Sequence, residues 1–67
     1  MQISVVIPLL NEEQSLVELY NWIAKVLRSN SFSYEIIFID DGSTDGSWKT
    51  IESLSEADDR VKACPEL

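Results

Sequence analysis

Histidine and cysteine are nearly absent from this chain, which has no histidine and a single cysteine, Cys64. Without histidine, a catalytic triad or general base of the His type is excluded within these residues. With one cysteine, an internal disulfide and a cysteine-rich zinc cluster are excluded as well. The longest apolar run, residues 5–10, is too short to span a membrane, and no basic signal-peptide region precedes it. We therefore expect a cytoplasmic protein.

Basic residues are also scarce, since five lysines and arginines stand against twelve aspartates and glutamates, for a net charge of −7. A field of that sign repels phosphate backbones and anionic lipid surfaces, so nucleic-acid binding is disfavoured. A phosphorylated ligand would need a cation or a helix N-terminus to offset the acidic surroundings. The 67 residues allow one small domain, and their 45% hydrophobic content is typical of a folded protein.

Short apolar runs rich in β-branched residues predict the strands. Residues 3–10 and 34–40 are nearly continuous runs of this kind, which are typical of strands buried on both faces of a parallel sheet. Pro8 has no N–H to donate and should mark the end of the first strand. Residues 60–63 are predicted to open a third, weaker strand.

Two amphipathic helices are predicted between these strands. Asn11 is the predicted N-cap of the first, with Gln14 three residues further on as in a capping box, and this helix should reach about Arg28. The second helix is predicted from near Asp45 to about Ser55. Its inner face should consist of Trp48, Ile51 and either Leu54 or Ser55.

The resulting β-α-β-α-β order predicts an α/β fold with a parallel sheet and right-handed crossovers. Two successive crossovers of one hand place both helices on the same face of the sheet. The opposite face, drawn from residues such as Val5, Ile7, Ile37 and Ile39, would lie bare, and we expect the chain to self-associate through it. The weak last strand predicts that residues 1–67 are a truncated, amino-terminal part of a larger domain.

Polar loops follow the first two strands, residues 8–12 and residues 40–43. Ligands of open α/β sheets bind at the carboxyl ends of the strands, where neighbouring strands bring such loops side by side. Main-chain carbonyls and carboxylates there accept hydrogen bonds from N–H and O–H donors, as on a pyrimidine edge or a ribose. They do not hold phosphates without a metal ion.

The two loops and their strands, IPLLNEE at 7–13 and EIIFIDDGSTDGS at 35–47, resemble family 2 glycosyltransferases. The similarity is nearest to the branch of dolichol-phosphate mannose synthases and undecaprenyl-phosphate sugar transferases, and it covers residues 2 to about 63. It implies the start of a Rossmann-like GT-A nucleotide-binding domain. It also implies an inverting transfer from a UDP- or GDP-sugar, with a polyprenyl phosphate as acceptor, in cell wall or lipid-linked glycan synthesis.

The resemblance further implies which residues bind the donor. In the family's pattern the three residues before Asn11 lie along the base, Glu12 lies near the ribose, and Asp41, more than Asp40, accepts the base N–H. The next two residues shape the loop, and Asp45 caps the following helix. The implied donor-binding residues are Pro8, Leu9, Leu10, Glu12, Asp40, Asp41, Gly42 and Ser43.

The family's catalytic parts are missing from these residues. The Asp-x-Asp motif that holds magnesium or manganese, the acidic general base and the acceptor-side motif would all follow Leu67. We therefore assign no catalytic residue and no metal ligand within the chain, and we expect it to be inactive alone. The parent enzyme is expected in the cytoplasm or at the cytoplasmic face of a membrane. The chain departs from the pattern at Leu10, where many relatives carry an aromatic, and at residues 64–67.

Three alternatives remain open. The residues that match an EF-hand calcium loop, at its first, third, fifth, sixth and twelfth positions, are Asp41, Ser43, Asp45, Gly46 and Glu52. An EF-hand needs a helix entering the loop, however, and has a small aliphatic residue where Trp48 stands. A phospho-accepting receiver domain also places paired aspartates after a strand, although after its first one. A small protein-interaction module is the third alternative.

Overall fold

The computed structural model describes residues 2–65, and these residues fold in the predicted β-α-β-α-β order. The observed helices start and end within two residues of the predicted bounds, and the third strand is longer than predicted. The elements are β1 (Gln2–Leu9), α1 (Glu13–Ser29), β2 (Ser33–Asp40), α2 (Ser47–Ala57) and β3 (Val61–Pro65).

The three strands form one parallel sheet in the order β1-β2-β3, which confirms the predicted α/β class. Leu9 lies beside Asp40, and Asp40 lies beside Pro65 on the other side. The carboxyl ends of all three strands therefore meet at one edge of the sheet. The loops that leave β1 and β2 both start from this edge.

A single core lies between the sheet and the two helices. It is built around the central strand, where Ile36 and Phe38 are fully buried. Leu16 from α1 and Ile51 from α2 pack against them and have exposed fractions of 1% and 0%. Both helices therefore cover the same face, as predicted from two crossovers of one hand.

The opposite face of the sheet carries Val6 and Pro8 from β1 and Ile37 and Ile39 from β2, in line with the alternation of side chains along a strand. The prediction for this face was right for the two β2 residues and wrong for Val5 and Ile7. Those two side chains lie on the helix side and pack against the core. Polar Gln2 and Ser4 alternate with apolar Ile3 and Val5, so the start of β1 does indicate which alternate set faces the helices, and the prediction overlooked this signal.

Helix α1 begins at Glu13 with Glu12 as its N-cap, and the Glu12 side chain makes no capping hydrogen bond. The prediction of Asn11 as the N-cap, with Gln14 completing a capping box, was therefore wrong. Asn11 lies one residue before the cap with a φ of 52°. Its side chain instead accepts hydrogen bonds from the loop between β2 and α2. The local sequence pattern does not indicate these contacts.

Candidate functional site at the carboxyl edge of the sheet

The β1–α1 loop and the β2–α2 loop lie against each other, as the sequence predicted for neighbouring parallel strands. The Asp41 N–H donates to the Leu9 carbonyl oxygen over 2.9 Å, so the pairing of β1 with β2 continues one residue past Asp40. The first loop leaves the sheet beside this hydrogen bond. The main chains of the two loops are thus joined at their base.

Asn11 connects the outer parts of the two loops. Its side-chain Oδ1 accepts the Thr44 N–H over 2.9 Å and the Asp45 N–H over 3.4 Å. Its own N–H donates to Ser43 Oγ over 2.8 Å. Hydrogen bonds therefore run between the loops in both directions through one residue.

The side-chain carboxylates of Glu13 and Asp45 each accept an N–H group at or next to the start of the other helix. The Glu13 N–H at the start of α1 donates to Asp45 Oδ2 over 3.3 Å, while the Gly46 N–H before α2 donates to Glu13 Oε1 over 2.9 Å. Asp45 Oδ1 also accepts the Ser47 N–H over 2.9 Å. The N-cap of α2 is nevertheless Gly46, so the expectation that Asp45 is the cap was wrong by one residue. Hydrogen bonding, first with the Ser47 side chain and then with backbone N–H groups, lowers the pKa of the Asp45 carboxyl.

This arrangement bears on where a phosphate could bind. The N–H groups of Glu13, Gly46 and Ser47 are those that a phosphate would use at a helix N-terminus. Each already donates to a carboxylate, and the two carboxylates would repel an anion brought up to them. Binding of a diphosphate to these three N–H groups is therefore disfavoured.

Ser47 is a functional part of the loop junction that sequence reasoning missed. It is fully buried, and its Oγ accepts the Glu12 N–H over 2.9 Å. The only local signal is its place after Asp45 and Gly46, which is typical of a helix start and indicates nothing about a partner 35 residues away. The contact fixes the main chain of Glu12, a predicted donor-binding residue.

Two glycines allow the loop after β2 to take its shape. Gly42 has a φ of +89°, a conformation that residues with a Cβ rarely adopt. Gly46 lies so close to Glu13 that a Cβ placed on it would be 2.5 Å from Glu13 Oε2. The first glycine is needed for backbone conformation and the second for the close approach of the other loop.

Three of the predicted donor-binding residues have side chains turned away from the loop junction or already occupied. The Leu9 side chain is buried in the core with 6% exposed, and Pro8 lies on the opposite face of the sheet. Asp40 is 5% exposed, and its Oδ1 accepts the Ser43 N–H over 2.7 Å. These residues shape the edge on which the loops rest.

Four of the other predicted residues are exposed at the same edge, whereas Ser43 is half-buried and its Oγ accepts the Asn11 N–H. The side chain of Leu10 in the first loop is 52% exposed, and Asp41 and Gly42 are exposed in the second loop. Glu12 is also exposed, and its Oε2 accepts a hydrogen bond from Ser15 Oγ over 3.1 Å. Carboxylates from both loops are therefore available to solvent as hydrogen-bond acceptors.

Two open clefts flank the loop junction. One, of about 330 Å³, is lined by Trp48 and by the ends of β2 and β3, including Asp40 and Pro65. The sequence placed Trp48 in the core, and the structure has it packed against the core while also lining this cleft. The other, of about 450 Å³, lies at the start of α1 and is lined by residues 11–15 and Asp45.

The described residues do not form a metal site. Among residues 2–65, no three acidic, cysteine or histidine side chains are grouped so that they could hold an ion. The EF-hand alternative is also contradicted by the entry into its loop, which is the strand β2 rather than a helix. Ser43 and Asp45, two of its supposed ligands, instead accept N–H groups of the other loop.

A parallel sheet with both helices on one face and polar loops at its carboxyl edge defines the start of a Rossmann-like α/β domain. Residues 4–65 match the family model described as Glycosyl transferase family 2. Because this match covers nearly the whole chain, the chain belongs to that family, which confirms the resemblance seen in the two loop motifs.

Several characterised or named proteins are similar to the chain. It is 41% identical over 58 residues to the undecaprenyl-phosphate 4-deoxy-4-formamido-L-arabinose transferase of Proteus mirabilis, covering 87% of this chain and 18% of that protein. It is 40% identical over 55 residues to the dolichol-phosphate mannosyltransferase of Pyrococcus furiosus, covering 82% and 15%. It is 36% identical over 61 residues to the prophage bactoprenol glucosyl transferase homolog of Escherichia coli, covering 91% and 20%.

These relatives include both kinds of enzyme named in the resemblance. The chain spans at most about a fifth of the length of each of the three. Neither of the helices within residues 2–65 is long and apolar enough to cross a membrane.

Proposed function

We propose that these residues form the amino-terminal part of the GT-A domain of a larger family 2 glycosyltransferase, where they bind the nucleoside of a UDP- or GDP-sugar. The observation that carries this proposal is the junction of the two family motifs at the carboxyl edge of the sheet. There Glu12 and Asp41 offer exposed carboxylates from adjoining loops. A base N–H and ribose hydroxyls are the donors that such acceptors suit.

The chemistry of the site supports the nucleoside rather than the diphosphate as the bound group. The edge is acidic, and the N–H groups at both helix starts already donate to Glu13 and Asp45. The parent enzyme would use magnesium or manganese to neutralise the diphosphate, and residues 2–65 do not supply a site for that ion. We therefore assign the described residues to binding and orienting the donor.

The acceptor of the parent enzyme is proposed to be a polyprenyl phosphate. Support comes from the names of two relatives, which pair a sugar with undecaprenyl phosphate or dolichol phosphate. Transfer with inversion at the anomeric carbon, at the cytoplasmic face of a membrane, is proposed together with it. The chain alone is proposed to be inactive because none of its described residues has a catalytic assignment.

We also propose that the isolated chain self-associates through the bare face of the sheet. Besides Val6, Ile37 and Ile39, this face carries Glu35 on β2 and Lys62 on β3. In a two-fold face-to-face pair each copy offers one carboxylate and one ammonium group to the other, so groups of opposite charge are available for pairing across the contact. The occupant is therefore proposed to be a second copy of the chain.

An amide NMR titration with UDP and with GDP, each with and without magnesium, tests the nucleotide proposal. Shift changes should be confined to residues 9–12 and 40–43. Asp41→Asn should weaken the apparent affinity about tenfold, because it replaces a carboxylate acceptor by an amide. Asp59→Asn, which makes the same change of charge in the exposed turn before β3, should leave the affinity unaltered.

Two results would contradict the proposal. Well-dispersed spectra that do not respond to either nucleotide would remove the donor-binding role and leave a scaffold or a protein-interaction module. Saturable shifts on adding calcium, running from Asp41 to Glu52, would instead favour the calcium-loop alternative despite the strand that precedes the loop.

A further inference from the structure

Asn11 lies outside the eight predicted donor-binding residues, yet it makes more contacts across the loop junction than sequence reasoning assigned to it. It joins three consecutive residues of the second loop: Ser43 through its own N–H, and Thr44 and Asp45 through Oδ1. The Thr44 hydroxyl also donates to the same oxygen over 3.4 Å. The two loops are otherwise separated by more than thirty residues of sequence.

The residue type at position 11 meets two requirements at once. Its φ of 52° lies in the left-handed region, which asparagine and aspartate enter more readily than most residues with a Cβ. Its amide oxygen has two lone pairs and accepts N–H groups from neighbouring residues of the other loop. Alanine would lack the acceptor and be disfavoured at this φ, whereas glycine would suit the φ but still lack the acceptor.

The residues that Asn11 joins are close in sequence to the two exposed carboxylates of the site. Glu12 follows it directly, and Asp41 lies three residues before Thr44 on the loop that Asn11 holds. Ser47, at the start of α2, also holds the first loop in place, because its Oγ accepts the Glu12 N–H. The separation of Glu12 from Asp41 therefore depends on how firmly the second loop is held against the first.

We propose that Asn11 is a positioning residue for the donor pocket, and that its Oδ1 fixes the loop of Asp41 against the loop of Glu12. The relative position of the two carboxylates is thereby set before a nucleoside binds. This inference rests on the proposed function. In this role Asn11 acts through its hydrogen bonds with Ser43, Thr44 and Asp45.

Three substitutions at this position separate the side-chain acceptor from the backbone conformation. Asn11→Ala and Asn11→Gly should each weaken nucleoside binding roughly tenfold, because both remove Oδ1. Asn11→Asp keeps an acceptor oxygen and tolerates the φ, so it should restore binding to within about threefold of the unmodified chain. Uridine and guanosine are the probes, because an uncharged nucleoside is not repelled by the added carboxylate.

Amide hydrogen exchange of Thr44 and Asp45 gives a second readout on the same four proteins. Exchange at these two N–H groups should be faster in the Ala and Gly variants, because both variants lack the Oδ1 acceptor. In the Asp variant an acceptor oxygen is kept, so the exchange should stay near the original rate. Tyr20→Phe serves as the control for general destabilisation, because it removes a hydrogen bond between α1 and the turn after α2. It should leave both nucleoside affinity and these two exchange rates unchanged.

The outcomes distinguish the positioning role from the proposed function. If the unmodified chain binds neither nucleoside nor nucleotide, the donor-binding proposal is overturned and the role of Asn11 falls with it. If the unmodified chain binds and the Ala and Gly variants bind equally well, only the positioning role is overturned. Equal weakening by Tyr20→Phe, or rescue by glycine rather than aspartate, would overturn it too.

Discussion

Gly46 lies where the two loops come closest, and its lack of a side chain is what allows the approach. Glu13 reaches across from α1 to accept the Gly46 N–H, and the space that a Cβ would fill is taken by the Glu13 carboxylate. The φ of Gly46 is −82°, which any residue can adopt. The requirement for glycine here is therefore steric and concerns a single, flexible neighbour.

We predict that Gly46→Ala lowers the free energy of unfolding by about 1 kcal/mol, because Glu13 has to swing away and its hydrogen bond is lost. In a Glu13→Ala background the same substitution should cost close to nothing, since the obstacle is gone. Urea unfolding of the four proteins of this double-mutant cycle measures the coupling. A cost that is the same in both backgrounds would show that Gly46 is required for its backbone and not for the contact.

At the scale of the elements, a hydrogen bond ties α1 to the turn that follows α2. The Tyr20 hydroxyl donates to Asp58 Oδ2 over 2.6 Å, and Asp58 Oδ1 accepts the Arg60 N–H over 2.9 Å. The hydrogen bond from Tyr20 lowers the pKa of the Asp58 carboxyl, and the same bond raises the pKa of Tyr20 from 10.0 to about 12. The two helices are thus coupled at the end of the molecule away from the loop junction.

This contact predicts a pH dependence of stability with a definite sign. The folded state holds the Tyr20 proton more tightly than the unfolded state, so the stabilisation is complete below pH 10 and is lost as the pH rises towards about 12. Tyr20→Phe should cost about 1 kcal/mol near neutral pH, and this cost should shrink over that alkaline range. Urea unfolding of both proteins at several pH values measures it.

At acidic pH the stability that this contact contributes changes with pH in the opposite direction. Because the pKa of Asp58 is lowered by folding, its stabilisation is present above its ordinary value of 3.8 and is lost as the pH falls through the lowered pKa. A difference between the original chain and Tyr20→Phe that stays constant from acid to alkaline pH would contradict the assignment of both shifts to this hydrogen bond.

At the scale of the whole molecule, the net charge and the exposed apolar surface have opposite effects on self-association. The chain has a net charge of −7, which favours separate molecules, while Val6 on the bare sheet face is 55% exposed. Glu35 and Lys62 on that face cancel in charge, so the face is less acidic than the chain as a whole. Screening of the net charge by salt should therefore strengthen association through this face.

We predict that sedimentation velocity detects dimers of the chain at high concentration, and more of them as salt is raised. Val6→Lys should abolish them, because it buries an ammonium group at the contact. Val17→Lys is the matched control: it makes the same change on the outer side of α1, where Val17 is 50% exposed, and should leave the dimer intact. A chain that stays monomeric at every salt concentration would rule out this interface.

The order of elements, the parallel sheet and the family follow from the sequence alone. Runs such as residues 34–40 are apolar and β-branched, and the spacing of Leu16, Tyr20 and Ile23 is that of a helix. These are local patterns, and each element forms where its own residues favour it. The two loop motifs likewise sit next to the strands that bring them together, so the position of the candidate site was predictable. The donor-binding roles of its residues stay a prediction.

Only the tertiary structure decided what Asn11, Glu13 and Ser47 do. The side of β1 that faces the helices was, in contrast, indicated by the alternation of polar Gln2 and Ser4 with apolar Ile3 and Val5. The sequence around Asn11 predicts a helix cap, yet its hydrogen-bond partners lie 32 to 34 residues further along the chain. Such hydrogen bonds exist only because β1 and β2 are neighbours, and that adjacency is settled by burying one shared core.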